Sequence, residues 1–221
     1  KESSAASDVY KRQLTRRAYI RQIASPSFSP SKSLTKALLA QLPFEMTQAQ
    51  KRVSKEIVTD LKQNKPMLRL VQGDVGAGKT LVAAVAACHT LEAGWQVALM
   101  APTEILAEQH YLNFKRWFEP LGIQVAWLSG KQKGKARTQA ELTIKTGEAQ
   151  LVVGTHALFQ DTVEFAKLGL VIIDEQHRFG VDQRLALRNK GNDQLTPHQL
   201  VMTATPIPRT LAMSAYGDLD T

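Results

Sequence analysis

Apolar residues first recur at helical spacing at Leu34, Leu38, Leu39 and Leu42. They do so again at Val53, Ile57, Val58 and Leu61 behind Thr47, whose hydroxyl suits a helix N-cap. This pattern predicts two packed helices. From residue 67 the rhythm changes: short unbroken apolar runs occupy 67–71, 96–100, 125–128, 151–153, 170–173 and 200–202, and between them 79–93 and 104–118 keep a helical period. Strands wet on one face alternate apolar with polar residues. These runs do not, so both of their faces are covered. The expected fold class is α/β: a three-layer domain with a mostly parallel sheet between helices, preceded by a short helical and linker segment.

The stretch 25–33 reads SPSFSPSKS, and its prolines fix φ and keep their predecessors out of the helical region, so a linker and a domain boundary are expected there. Residues 1–42 then form a basic linker and helix, and 43–221 the main domain. The first residue is Lys, and residues 1–13 are rich in Ser and charge without an apolar period, as expected of a fragment whose edge is disordered or foreign.

Composition narrows the class. With 43% hydrophobic and 22% charged residues the chain is expected to bury a core, and no apolar run approaches the roughly 18 to 20 residues that span a bilayer. The reading is of a cytoplasmic protein that uses no membrane. Cys88, the only cysteine, lies in an Ala/Val-rich stretch and is expected to be a buried, inert thiol. The formal charge of +8 is uneven. Residues 1–65 carry 13 of the 28 basic and 5 of the 20 acidic residues, which leaves 66–221 balanced at 15 each. In that balanced part Lys131, Lys133, Lys135 and Arg137 cluster with no acid among them, a solvated loop or a phosphate contact. Trp95, Trp117 and Trp127 lie on or beside predicted elements, where packing is favoured over base stacking.

The chemistry begins after the first run. Gly73, Asp74, Val75, Gly76, Ala77, Gly78, Lys79 and Thr80 lie between a predicted strand and a predicted helix, the setting of a phosphate-binding loop. Glycines let backbone N–H groups turn inward on phosphate, and the helix N-terminus adds partial positive charge. Lys79 is expected to reach the β- and γ-phosphates and the Thr80 hydroxyl to ligate Mg²⁺. About 95 residues downstream, a buried run delivers Asp174 and Glu175 at the end of a strand, where ligands gather in open α/β sheets. Asp174 is the second expected Mg²⁺ partner, and Glu175 the group that orients and activates water. Together they point to NTP hydrolysis.

Asp174-Glu175-Gln176-His177 resembles motif II of the superfamily 2 helicases, and other motifs of that family follow in order along 44–210. Phe44, Thr47 and Gln50 resemble the adenine-reading Q motif. Ala101-Pro102-Thr103-Glu104 resembles motif Ia, Val153-Gly154-Thr155-His156 motif Ib, and Thr203-Ala204-Thr205 motif III. The longer strings LVQGDVGAGKTLVA, VALMAPTEILAEQH, VIIDEQHRFGVDQR and LVMTATPIPRTLAMSAYGDLD are similar to the RecG branch of bacterial ATP-dependent DNA helicases, over about 42–221.

The resemblance implies a RecA-like P-loop domain, the first of two motor lobes, with ATP and Mg²⁺ as cofactors. It implies that Phe44 and Gln50 meet the adenine, and that Pro102, Thr103, Gly154, Thr155 and His156 lie at the nucleic-acid backbone. Thr103 also suits an N-cap. Gln176 and His177 would sense the γ-phosphate and relay it to Thr203, Ala204 and Thr205. Lys131 to Arg137, lying between motifs Ia and Ib, are expected to face DNA. A zinc site on His177 and His156 is set aside, since no Cys/His pair has zinc spacing. The implied partner is branched duplex DNA, such as forks and Holliday junctions, and the implied state a monomer. The family's wedge domain and second lobe, the source of its arginine finger, are absent from the 221 residues. The isolated lobe is therefore expected to bind Mg·ATP weakly, hydrolyse it very slowly and unwind nothing. Three other readings stay open: a transcription-repair coupling translocase, a DEAD-box-like RNA helicase, and a non-catalytic DNA-binding module.

Overall fold

The computed structural model describes residues 24–174 and 195–204. Two helices lead in, α1 (Ser33–Ala40) and α2 (Gln48–Leu61). Six strands follow: β1 (Leu68–Gln72), β2 (Gln96–Met100), β3 (Val125–Leu128), β4 (Leu151–Gly154), β5 (Leu168–Asp174) and β6 (His198–Thr203). Helices α3 (Lys79–Glu92), α4 (Glu104–Phe118) and α5 (Gly134–Thr146) lie between them. The sheet order is β1-β6-β5-β2-β4-β3, and every pairing is parallel. All six apolar runs became strands. Helix α5 was not anticipated, because its sequence GKARTQAELTIKT has only a weak apolar stripe and buries just Thr143 and Ile144.

Strand residues alternate between two cores. Val97, Leu99, Val153, Leu170, Ile172 and Leu200 pack with Leu38, Ile57, Leu61, Phe114 and Phe118 on one face. Ala98, Met100, Val152, Val171, Ile173 and Val201 pack with Ile144, Leu158 and Phe159 on the other. Both faces of each strand are thus apolar, which is why the runs show no alternation. Cys88 is buried, and burial raises its thiol pKa, as expected of an inert core residue. Trp95 and Trp117 pack against the first core and Trp127 lies on Tyr111, ring centroids 5.5 Å apart.

The Pro/Ser stretch is not a free linker where it is described. Ser25 and Phe28 are buried, and Phe28 shares the first core with the sheet. Two histidines hold this strap. The Met67 N–H donates to His198 Nδ1 at 3.0 Å, so the His198 proton sits on Nε2 and is donated to the Pro26 carbonyl at 2.6 Å. His89 Nε2 lies 3.2 Å from the Phe28 carbonyl. Further along, Ser31 and Ser33 donate to the Glu92 carboxylate; burial opposes its ionisation, but these hydrogen bonds hold its pKa below the ordinary value. Within the described residues, 24–42 therefore pack with the main domain. The stretch 1–13 lies outside them.

Burial lowers the pKa of His198 and of His89 from 6.5, against the pull of the carbonyls they face. The fold thus favours neutral imidazoles. Their contribution is complete above the unfolded value and is lost as pH falls through and below it, because the unfolded chain then binds protons that the fold excludes. The thermal midpoint should drop between about pH 7 and pH 5, and His198→Gln should shrink that drop; scanning calorimetry at both pH values checks it.

Candidate functional site

Because the strands are parallel, all their C-terminal ends meet at one edge of the sheet. The phosphate loop leaves β1 there, Pro102 and Thr103 follow β2, Thr155 and His156 follow β4, Asp174 ends β5, and Thr203 and Ala204 close and follow β6. Strand order divides this edge in two. The β1-β6-β5 half carries the loop, Thr203 and Asp174, with Gln72 in register with Thr203 and Asp174 with Met202. The β2-β4-β3 half carries the residues expected at a nucleic-acid backbone, with the Lys131–Arg137 stretch beyond its outer strand.

The loop is tied to its neighbours. The Gly73 N–H donates to the Thr203 carbonyl at 3.3 Å, and the Ala77 N–H to the Asp74 carbonyl at 3.0 Å. Gly76 and Gly78 have φ of 86° and 75°, the left-handed region that side chains rarely adopt. Gly78 caps α3, whose first intrahelical N–H donors are Leu81 and Val82, so the Lys79 and Thr80 N–H groups are left at the helix mouth. Lys79 Nζ donates to the Gly73 and Asp74 carbonyls at 2.6 and 2.9 Å, which holds the ammonium inside the loop. Val75 is 90% exposed at its tip.

Gln50 is neither a free nor a merely solvated amide. Its Oε1 accepts from the Thr47 N–H at 2.9 Å while Thr47 Oγ1 accepts from the Gln50 N–H at 3.2 Å, a reciprocal capping box. Its Nε2 donates to the Ala77 carbonyl at 3.0 Å, and a Cβ placed on Gly78 would lie 2.2 Å from it. The side chain thus joins α2 to the phosphate loop, and a second N–H remains on its amide. Phe44, just ahead of this box, is 53% exposed.

Asp174 Oδ2 lies 2.6 Å from His110 Nε2, a partly buried contact between the end of β5 and α4. His110 went unread in the sequence, although a signal was there. It sits at helical spacing among Ala107, Phe114 and Phe118, all buried, and a polar residue on a buried apolar stripe needs a partner. Glu175, Gln176, His177 and Thr205 lie outside the described residues.

On the other half, Thr103 is an N-cap, its hydroxyl accepting from the Leu106 N–H at 3.3 Å, and both Pro102 and Thr103 are half-buried. The motif around β4 is largely enclosed. Gly154 is buried, and a Cβ there would lie 1.8 Å from the Leu128 carbonyl oxygen, so glycine is required by strand packing. Thr155 is buried, its N–H donating to the Leu128 carbonyl. Of the three, His156 is the exposed member. Arg137 is engaged within the domain. Its guanidinium donates to Glu141 at 2.8 Å, to Gln160 at 2.8 Å and to the Ser129 carbonyl at 3.4 Å, an internal brace that leaves Lys131, Lys133 and Lys135 as the exposed cations of the cluster.

The donor set fits the nucleotide and cation that this loop implies. A glycine-lined turn with a helix N-terminus and an ammonium suits phosphate, and the Thr80 hydroxyl with the Asp174 carboxylate are hard oxygen donors suited to Mg²⁺. The sheet, loop and carboxylate define a P-loop nucleotide-binding domain with a RecA-like fold. The DEAD/DEAH box helicase pattern matches residues 47–214. The chain belongs to that family.

Among relatives, it is 64% identical over 201 residues to the ATP-dependent DNA helicase RecG of Pasteurella multocida (strain Pm70), covering 90% of this chain and 29% of that protein. It is 61% identical over 209 residues to the ATP-dependent DNA helicase RecG of Escherichia coli (strain K12), covering 94% of this chain and 30% of that protein. A solved structure of RecG bound to a three-way DNA junction superposes with a TM-score of 0.81 at 42% identity, over 95% of this chain and 28% of that one. The chain thus spans about 30% of the length of the relatives it matches. Among the described residues, no helix is long and apolar enough to cross a membrane.

Gln50→Ala should remove the Thr47 and Ala77 bonds together, costing about 1 kcal/mol and roughly 2–4 °C in the unfolding midpoint of a domain this size. Calorimetry should show weaker ATP binding in the same variant, since the loop loses its tie to α2.

Proposed function

We propose that this chain is the ATP-binding motor lobe of a RecG-type DNA helicase that works on branched DNA such as forks and Holliday junctions in recombination and repair. The observation that carries the reading is the shared sheet edge: the phosphate loop and Asp174 on one half, Thr103 and the exposed lysines beyond the other. The three-way junction held by the RecG relative supports branched duplex as the DNA. A cytoplasmic site of action fits this role.

In the nucleotide half, Lys79 and the N–H groups of the loop and of the helix mouth bind and orient the phosphates. Thr80 and Asp174 hold the cation, which when bound neutralises charge on the phosphate oxygens. Glu175 accepts the proton of the attacking water, Phe44 stacks on the base, and the remaining Gln50 N–H favours ATP over GTP. Gln176 and His177 report the γ-phosphate to Thr203 and Thr205, and the Gly73–Thr203 hydrogen bond supports a direct link between the loop and β6. Closure of a second lobe on the bound nucleotide is what this reading requires for turnover.

Two measurements test the reading. In the full-length protein, Glu175→Gln should keep ATP binding and abolish turnover, because the amide keeps shape and loses the base; turnover within a few fold of wild type sinks the assignment. Neutralising Lys131, Lys133 and Lys135 together should lower the slope of log affinity for duplex DNA against log salt by roughly 0.9 for each lost phosphate contact. An unchanged slope returns the three lysines to a solvated loop.

A further inference from the structure

The strongest unassigned feature is the contact between His110 and the carboxylate at the end of β5. Its geometry is specific: Nε2 lies 2.6 Å from Asp174 Oδ2, with side-chain exposures of 10% and 14%. The imidazole is held on its other sides as well. Phe114 meets it edge-on at 6.5 Å between centroids, and Nδ1 is buried without a hydrogen-bond partner among the described residues. A buried Nδ1–H without an acceptor would be costly, so the ring carries its proton on Nε2 and donates it to the carboxylate. One oxygen of Asp174 is thereby occupied. Oδ1 makes no hydrogen bond among the described residues and is the oxygen left for a cation.

We propose that His110 is a positioning residue for Asp174: by donating Nε2–H to Oδ2 it locks the carboxylate in one rotamer and turns Oδ1 toward the cation held with Thr80. This inference rests on the nucleotide-site reading above and adds a residue to it. An aspartate at a strand end is free to rotate about χ1 and χ2, and a carboxylate that must first be ordered binds a cation less tightly. His110 removes that cost from a helix, α4, whose own start is fixed by the Thr103 cap. Phe114 and Phe118 anchor α4 in the first core and Ala107 is buried beside them on the same stripe, so the imidazole is carried on a rigid element.

The test is calorimetric titration of the full chain with ATP at graded Mg²⁺ and in EDTA. His110→Phe keeps an aromatic ring beside Phe114 and drops the donor. It should need about 10-fold or more Mg²⁺ to reach the same ATP affinity, with affinity in EDTA unchanged. His110→Gln, whose amide restores an N–H near Nε2, should return the Mg²⁺ requirement to within about threefold of wild type, which a merely space-filling role does not predict. A wild-type Mg²⁺ requirement in His110→Phe overturns the proposal. Lys79→Ala is the separate arm: it should weaken ATP binding with and without Mg²⁺, and if it does not, the nucleotide-site reading itself fails. Should His110→Phe not fold, ¹⁵N spectra of the wild-type imidazole decide. A protected proton on Nε2 with bare Nδ1 supports the assignment, and a proton on Nδ1 with bare Nε2 overturns it.

Discussion

Parallel pairing of six strands is the constraint on which the rest of this molecule depends. Each strand must be followed by a crossover that returns to the opposite end of the sheet, so every C-terminal end emerges on one edge. Residues far apart in sequence then meet without any loop having to reach. Gly73 touches Thr203, and Asp174 meets His110, only because β1, β6, β5 and β2 lie side by side in that order.

Burial on both faces follows from the same arrangement. The lead-in helices α1 and α2 and the crossover helices α3 and α4 cover one face, through Leu38, Ile57, Val82, Phe114 and Phe118, and α5 helps to close the other through Ile144. The strap at 24–28 adds Phe28 to the first core and is held by two neutral buried histidines. Several polar groups in this interior tie distant segments together: His198 fixes the strap, Gln96 ties β2 to the Ile144 and Ala149 carbonyls, and His110 holds Asp174.

The phosphate loop at this edge is built on permissive backbone and is open to solvent. Two glycines take left-handed φ in the phosphate loop, Val75 projects from its tip, and Phe44 is left outside the core. Glycine takes that conformation without steric penalty, which suits a loop whose backbone must approach a ligand closely. By contrast, Gly154 belongs to packing, since the Leu128 carbonyl occupies the place a side chain would take. Two glycine-containing motifs that look alike in a string of letters thus have different physical causes.

By itself the sequence determined the local chemistry: six apolar runs that became strands, the phosphate loop between β1 and α3, the Thr47 and Thr103 caps, and the carboxylate ending β5. Each of these depends on neighbours a few residues away, so spacing and residue type suffice to read them. Tertiary structure decided what distance along the chain hides. It joined Gln50 to Ala77 and His110 to Asp174, tied Arg137 to Gln160, buried Thr155 against Leu128, and turned a Pro/Ser stretch into a packed strap. These contacts bring together groups whose partners carry no local periodicity, and only the packing of helices and the order of strands around the sheet make them neighbours.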